Sequence, residues 1–178
     1  MKRVSQVEES KGLIVDAFLS LLKEKSYDDI KLAEIADKAG ISRMTIHRHF
    51  KCKENIITYQ IKNVMKMMQE DQIKIKKLTL ESEILNRFIV LRSLPHAKLL
   101  IHSEEITSII YDLKKESNNT LASKYLNIYP DKYMIQFISG GIHNMVKEWL
   151  ISDFDETPKE MTRITTTFGS FGGFILSK

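Results

Sequence analysis

Along most of this chain apolar residues return every three or four positions, the period of an α-helix with one buried face, and no segment alternates like a strand. The pattern predicts an all-α protein. A first helix is expected after Ser5, where Ser5 and Glu8 have capping-box spacing, with Leu13, Ile14, Ala17, Phe18, Leu21 and Leu22 inward and fraying near Lys25. A second covers Leu32 to Ala39, with Leu32, Ile35, Ala36 and Ala39 inward, and Gly40 ends it. Ser42 suits the N-cap of a third helix reaching Phe50, and a long fourth helix after Cys52 carries Ile56, Ile57, Ile61, Val64, Met65 and Met68 toward Lys77.

The C-terminal part reads as further helices: Glu81–Ser93 stopped by Pro95, a short one near His96–Ile101, and one from Ser103 past Lys114. Glu116, Ser117, Asn118 and Asn119 read there as a break. Asp131 to Ile151 forms the next helix. The last starts at Thr157-Pro158-Lys159-Glu160, a capping box with proline at the first helical position. Its Met161, Ile164, Phe168, Phe171 and Ile175 form a seam for another helix, within the monomer or from a partner, and Gly169 and Gly172 allow close backbone approach.

Composition narrows the class. With 178 residues, 43% hydrophobic and 28% charged, the chain is an ordinary globular one, and its length suffices for a core without disulfides. The single cysteine, Cys52, forbids an intramolecular bridge and fits a reducing cytoplasm. Neither a signal peptide nor a membrane span is expected. The net charge of +4 is mild, but its placement is informative: Gly40 to Lys53 carries Arg43, Arg48, Lys51 and Lys53 and no acid.

Three helices with a glycine turn between the second and third make a helix-turn-helix over residues 1–54, ahead of a helical domain over 55–178. The third helix, nine residues and about 13 Å long, matches the B-DNA major groove, about 12 Å wide. Ile46 and Phe50 would pack inward, leaving Arg43, Met44, Thr45, His47, Arg48 and His49 for DNA. Arginine can fork onto guanine, and a threonine methyl can meet a thymine methyl. Lys53 could hold a backbone phosphate near the start of the fourth helix.

The run Ile35-Ala36, Ala39-Gly40-Ile41-Ser42, Thr45-Ile46, His49-Phe50 and Lys53-Glu54 resembles the signature of the tetracycline-repressor family, over roughly residues 7–57. Three positions depart from that pattern. Lys31 replaces a capping threonine and could add a phosphate contact; His47 replaces a tyrosine; Cys52 replaces a capping polar residue. The resemblance implies a homodimer formed through the last two helices, including Trp149, that reads a near-palindromic operator, with the C-terminal domain binding an effector in many members. Phe137 to Trp149, with Thr157-Pro158, is similar to the penultimate helix of a subgroup that includes a regulator of dihydroxyacetone kinase genes. Repression is expected, released by a small molecule of unknown identity.

Competing chemistry is poorly supplied. His47 and His49 lie two apart and face different ways on a helix, so no metal site is expected with Cys52. His96, His102 and His143 are scattered, and no nucleophile–base pair or phosphate loop occurs, so neither catalysis nor a cofactor is expected. The other open reading is a helical co-regulator that pairs with a different protein through the same C-terminal seam.

Overall fold

The computed structural model describes residues 2–73, 78–101, 103–126, 129 and 131–176, without the side chains of residues 2–5, 71–73, 100, 126 and 169–176. Among the described residues every element is helical: α1 (Lys2–Leu21), α2 (Leu32–Lys38), α3 (Arg43–His49), α4 (Lys53–Ile73), α5 (Leu80–Ser93), a 3₁₀ turn (Ala97–Ile101), α6 (Glu104–Leu126), α7 (Lys132–Ile151) and α8 (Pro158–Leu176). No described helix is long and apolar enough to cross a membrane. The chain divides into two compact units, Met1–Asn63 with Leu99–Ile109, and Val64–Lys98 with Ile110–Lys178. The first thus extends past position 54 and takes in a second stretch of chain.

In the first unit, Ile14, Phe18 and Leu21 of α1 and Leu22 just after it are buried, as are Ile35 and Ala36 of α2, Ile46 of α3, Phe50, and Ile56, Ile57 and Ile61 of α4. α2 packs against both α1 and α3. Two expectations for α1 need correction. The helix is already formed at Lys2, ahead of Ser5, whose side chain lies outside the described residues. Glu8 accepts hydrogen bonds from Tyr59 (2.6 Å) and Lys11 (2.9 Å). Leu13 is 48% exposed, while Val15 and Leu19 are buried in its stead. At about 100° per residue Leu13 sits about 140° around the helix from Phe18, the centre of the buried face, so proximity in sequence to Ile14 does not carry it inward.

In the second unit α5 lies along α8. Buried residues include Ile84, Phe88, Val90 and Leu91 of α5, Leu121 and Ala122 of α6, Ile135, Trp149 and Leu150 of α7, and Met161 and Thr165 of α8. Trp149 meets Phe88 and Phe154 edge to face at 5.2 and 4.8 Å, and its indole N–H donates to the Glu156 carbonyl (2.8 Å). That satisfied donor lets the largest side chain be buried without cost.

The break expected at residues 116–119 is absent: α6 runs through it. Its polar side chains bond sideways instead of competing with the backbone. Arg87 of α5 donates to Ser117 Oγ (2.8 Å) and Asn118 Oδ1 (3.3 Å), and Asn118 Nδ2 donates to Ser139 Oγ of α7 (3.3 Å). Asn118 and Ser139 are buried, so a turn-like composition is a polar layer joining three helices.

The α7–α8 turn is a Schellman motif. Asp153 and Phe154 have φ of 61° and 62°, and the Phe154 N–H reaches the Trp149 carbonyl (2.9 Å). Asp153 occupies the position glycine prefers, and its ion pair with Lys98 (2.5 Å) is exposed and contributes little. Asp153→Gly is therefore expected to raise stability by about 0.5–1 kcal/mol in urea denaturation. Phe154→Gly should lower it, because the ring contact with Trp149 outweighs the relief of φ.

Candidate nucleic-acid interface

The geometry of α3 starts at the end of α2. Gly40 has φ +67°, and the Ile41 N–H bonds the Ala36 carbonyl (3.0 Å), closing α2 with a Schellman turn. A Cβ at Gly40 would meet nothing within 4 Å, so the requirement for glycine is torsional. The chain turns directly into α3, where Ser42 Oγ accepts the Thr45 N–H (3.1 Å) and also pairs with Thr45 Oγ1 (2.9 Å). The cap satisfies one of the orphan donors at the helix start, worth about 1 kcal/mol.

α3 spans seven residues, two fewer than expected, because Ser42 and Phe50 are its caps. At 1.5 Å per residue it is about 10 Å long and still fits the groove. Ile46 is fully buried and Phe50 nearly so, which fixes the roll of the helix. Arg43, Met44, His47 and Arg48 are exposed and share one edge, with Met44 at 85% exposure. Ser42 is exposed and Thr45 is half-buried, each partly engaged by the cap.

His49 is placed differently. It lies about 60° from Ile46 around the helix, is half-buried, and has an enclosed Nε2 with no hydrogen-bond partner among the described residues. Burial, reinforced by Arg48 and Lys11, lowers its pKa and favours the neutral ring.

Lys53 is also committed within the protein. Its ammonium donates to the Tyr27 carbonyl (2.6 Å) and the Asp28 carbonyl (3.4 Å) and sits 4.2 Å from the centre of the Tyr27 ring. Tyr27 Oη in turn donates to Glu54 Oε1 (2.8 Å). The Glu54 carboxylate also accepts from the Cys52 thiol, which lowers the carboxyl pKa and raises that of the thiol. Burial and Glu54 together push the Tyr27 phenol upward. This clamp ties the α1–α2 loop to the first turn of α4. It has no short-range sequence signature because its partners lie 26 or 27 positions apart.

Lys31 is exposed and supplies no capping acceptor; its N–H donates to Glu34 Oε2 (2.9 Å), while Glu34 Oε1 takes Lys25 (2.5 Å). Glu24 is likewise paired with Lys38 (2.5 Å). These acids are neutralised locally, and none of them lies on the outward edge of α3.

The expected dimerisation residues divide into three groups. Trp149 and Met161 are buried within their own chain, and Ile164 is half-buried. Phe168 is 62% exposed. The side chains of Gly169, Phe171, Gly172 and Ile175 lie outside the described residues. α7 adds exposed Tyr133, Phe137 and Ile151, and a Cβ at Gly140 or Gly141 would meet nothing within 4 Å.

Two family models match separate stretches of the chain. Residues 14–59 match the model of bacterial regulatory proteins of the tetR family, and residues 97–169 match a transcriptional regulator C-terminal region. The chain is 26% identical over 155 residues to the fatty acid metabolism regulator protein of Bacillus subtilis (strain 168), spanning 81% of this chain and 79% of that protein. It shares its fold with a TetR transcriptional regulator from Streptococcus agalactiae 2603V (TM-score 0.69, 18% identity, 94% of this chain and 97% of that one). It also shares it with the transcriptional regulator FadR from Bacillus subtilis in complex with stearoyl-CoA (TM-score 0.57, 18% identity, 86% and 94%). The two family matches together cover about two thirds of the sequence, and the chain belongs to the tetR family of bacterial regulatory proteins.

Proposed function

We propose that this regulator acts in the cytoplasm as a homodimeric repressor, placing two copies of α3 in successive major grooves of a near-palindromic operator and leaving the DNA when a small molecule binds its second unit. The observation that carries the reading is the outward edge of Arg43, Met44, His47 and Arg48 on a helix whose roll is fixed by Ile46 and Phe50. Arg43 lies in the first turn of α3, which a helix-turn-helix presents to base edges, and Arg48 and Lys31 suit phosphates. The apolar edge of α7 with Phe168 of α8 supports a second copy as partner. The relative crystallised with stearoyl-CoA supports control by a small molecule.

Lys53 contributes to this reading through its clamp. Reaching a phosphate would cost it two carbonyl bonds and the Tyr27 ring, so its main work is to hold α4 against the α1–α2 loop.

Selection of bound duplex from a random pool is expected to return a two-fold symmetric site. On that site Arg43→Ala should weaken binding about tenfold or more and relax preference at one position per half-site, corresponding to about 1–3 kcal/mol of discrimination. If Arg43→Ala and Arg48→Ala both keep full affinity, the docking is wrong. Lys53→Ala should lower stability by about 1 kcal/mol and leave the salt dependence of binding unchanged. A slope shallower by about one would instead restore it as a phosphate contact. In light scattering Phe168→Glu should convert the dimer to monomer; a wild-type chain that is monomeric until a different protein is added would favour the co-regulator reading.

A further inference from the structure

The polar layer of the second unit holds more positive charge than its fold needs. Among the described residues Arg87 of α5 donates to the neutral groups of Ser117 and Asn118. Lys114, one turn before Asn118 on α6, is half-buried and has no hydrogen bond or ion pair among the described residues. His143, one turn after Ser139 on α7, has its ring edge-on to Tyr111 of α6 at 5.6 Å, and Tyr111 is bonded to Gln136. The bond from Asn118 to Ser139 joins the two helices in the middle of this group.

No described carboxylate pairs with any of the three basic groups. Glu83, the acid nearest Arg87, is buried and already bound by Lys124 (2.6 Å) and Tyr125. Burial and the neighbouring Arg87 push Lys114 down to about 8, and burial with Lys114 and Lys147 lowers His143. Those directions agree with the geometry: basic groups are crowded together, and Glu83, the carboxylate that acts on Arg87, is shared with Lys124 and Tyr125. A half-buried cation without a partner is poorly compensated, so a hydrocarbon side chain in its place should cost the fold little. Perturbed, uncompensated groups of this kind gather at binding sites.

We propose that Arg87, Lys114 and His143 form the receptor for the anionic headgroup, a carboxylate or a phosphate, of the small molecule that controls this regulator. Arg87 offers the planar fork that matches either group, and Lys114 supplies an unspent ammonium. Buried Ile110 and Leu121 of α6 and Ile135 of α7 flank the layer, so an apolar chain behind the headgroup would meet hydrocarbon. The inference rests on the ligand-responsive reading above, and it adds the headgroup's charge and its place.

The test uses the full-length protein without DNA, titrated with inorganic phosphate, decanoate, decyl phosphate and 1-decanol, read by thermal shift and calorimetry. At least one of the anions is expected to bind, with 1-decanol weaker. Lys114→Met should weaken that anion about tenfold or more, the cost of one charge-assisted hydrogen bond, while leaving the unliganded protein as stable as wild type or more so. Lys114→Arg should retain binding. Preference for decyl phosphate over decanoate identifies a phosphate headgroup, and the reverse a carboxylate. Equal binding of decanol and decanoate, absence of binding by every anion, or Lys114→Met binding like wild type would overturn the proposal, as would a marked loss of stability in Lys114→Met. Operator affinity is measured separately: an anion that needs Lys114 but leaves DNA binding unchanged upholds the site and defeats the effector role.

Discussion

The outward edge of α3 depends on one backbone conformation. Gly40 at positive φ lets the Ile41 N–H return to the Ala36 carbonyl, and the chain leaves α2 in a single direction. Ser42 then starts α3 with a filled cap, and Ile46 and Phe50 reach the core formed with α1 and α4. Only with both ends so constrained does the edge of Arg43, Met44, His47 and Arg48 face outward as a rigid unit. Base reading needs that rigidity, because forked contacts to guanine tolerate little error in the approach of the helix.

The same device recurs between α7 and α8 with Asp153 and Phe154 in the left-handed region. There packing, more than propensity, enforces it: Trp149, Phe88 and Phe154 lock together edge to face, and the Glu156 carbonyl takes the indole N–H. Polar groups are distributed by a different logic in the two units. In the first, Tyr27, Glu54, Cys52 and Lys53 satisfy one another and brace the start of α4. In the second, Asn118, Ser117 and Ser139 are satisfied, while Lys114 remains uncompensated.

Much of the DNA-facing unit was legible in the order of residues because its determinants are local. Gly40 as stop, Ser42 as cap and Ile46 as inward residue each act within four or five positions, and the spacing of the family signature adds to them. The Thr157–Glu160 capping box was legible for the same reason. Long-range pairing was not. Leu13 looked inward beside Ile14, yet Val15 and Leu19 set the buried face. Residues 116–119 looked like a turn because the partners that keep Asn118 in a helix, Arg87 and Ser139, lie on other helices. Lys53 looked free because Tyr27 is distant in sequence. Met161 read as part of a seam for a second helix, and it is buried within its own chain on the helix that lies along α5.

Placement of α3 in the major groove is the central claim, and methylation interference on the selected operator tests it most directly. Guanine N7 lies in the major groove and adenine N3 in the minor groove, and dimethyl sulfate marks both. The account predicts that N7 methylation blocks binding in two patches whose centres lie about 34–36 Å, or a multiple of that, apart on one face of the duplex. Interference from adenine N3 alone, or from neither position, would contradict it.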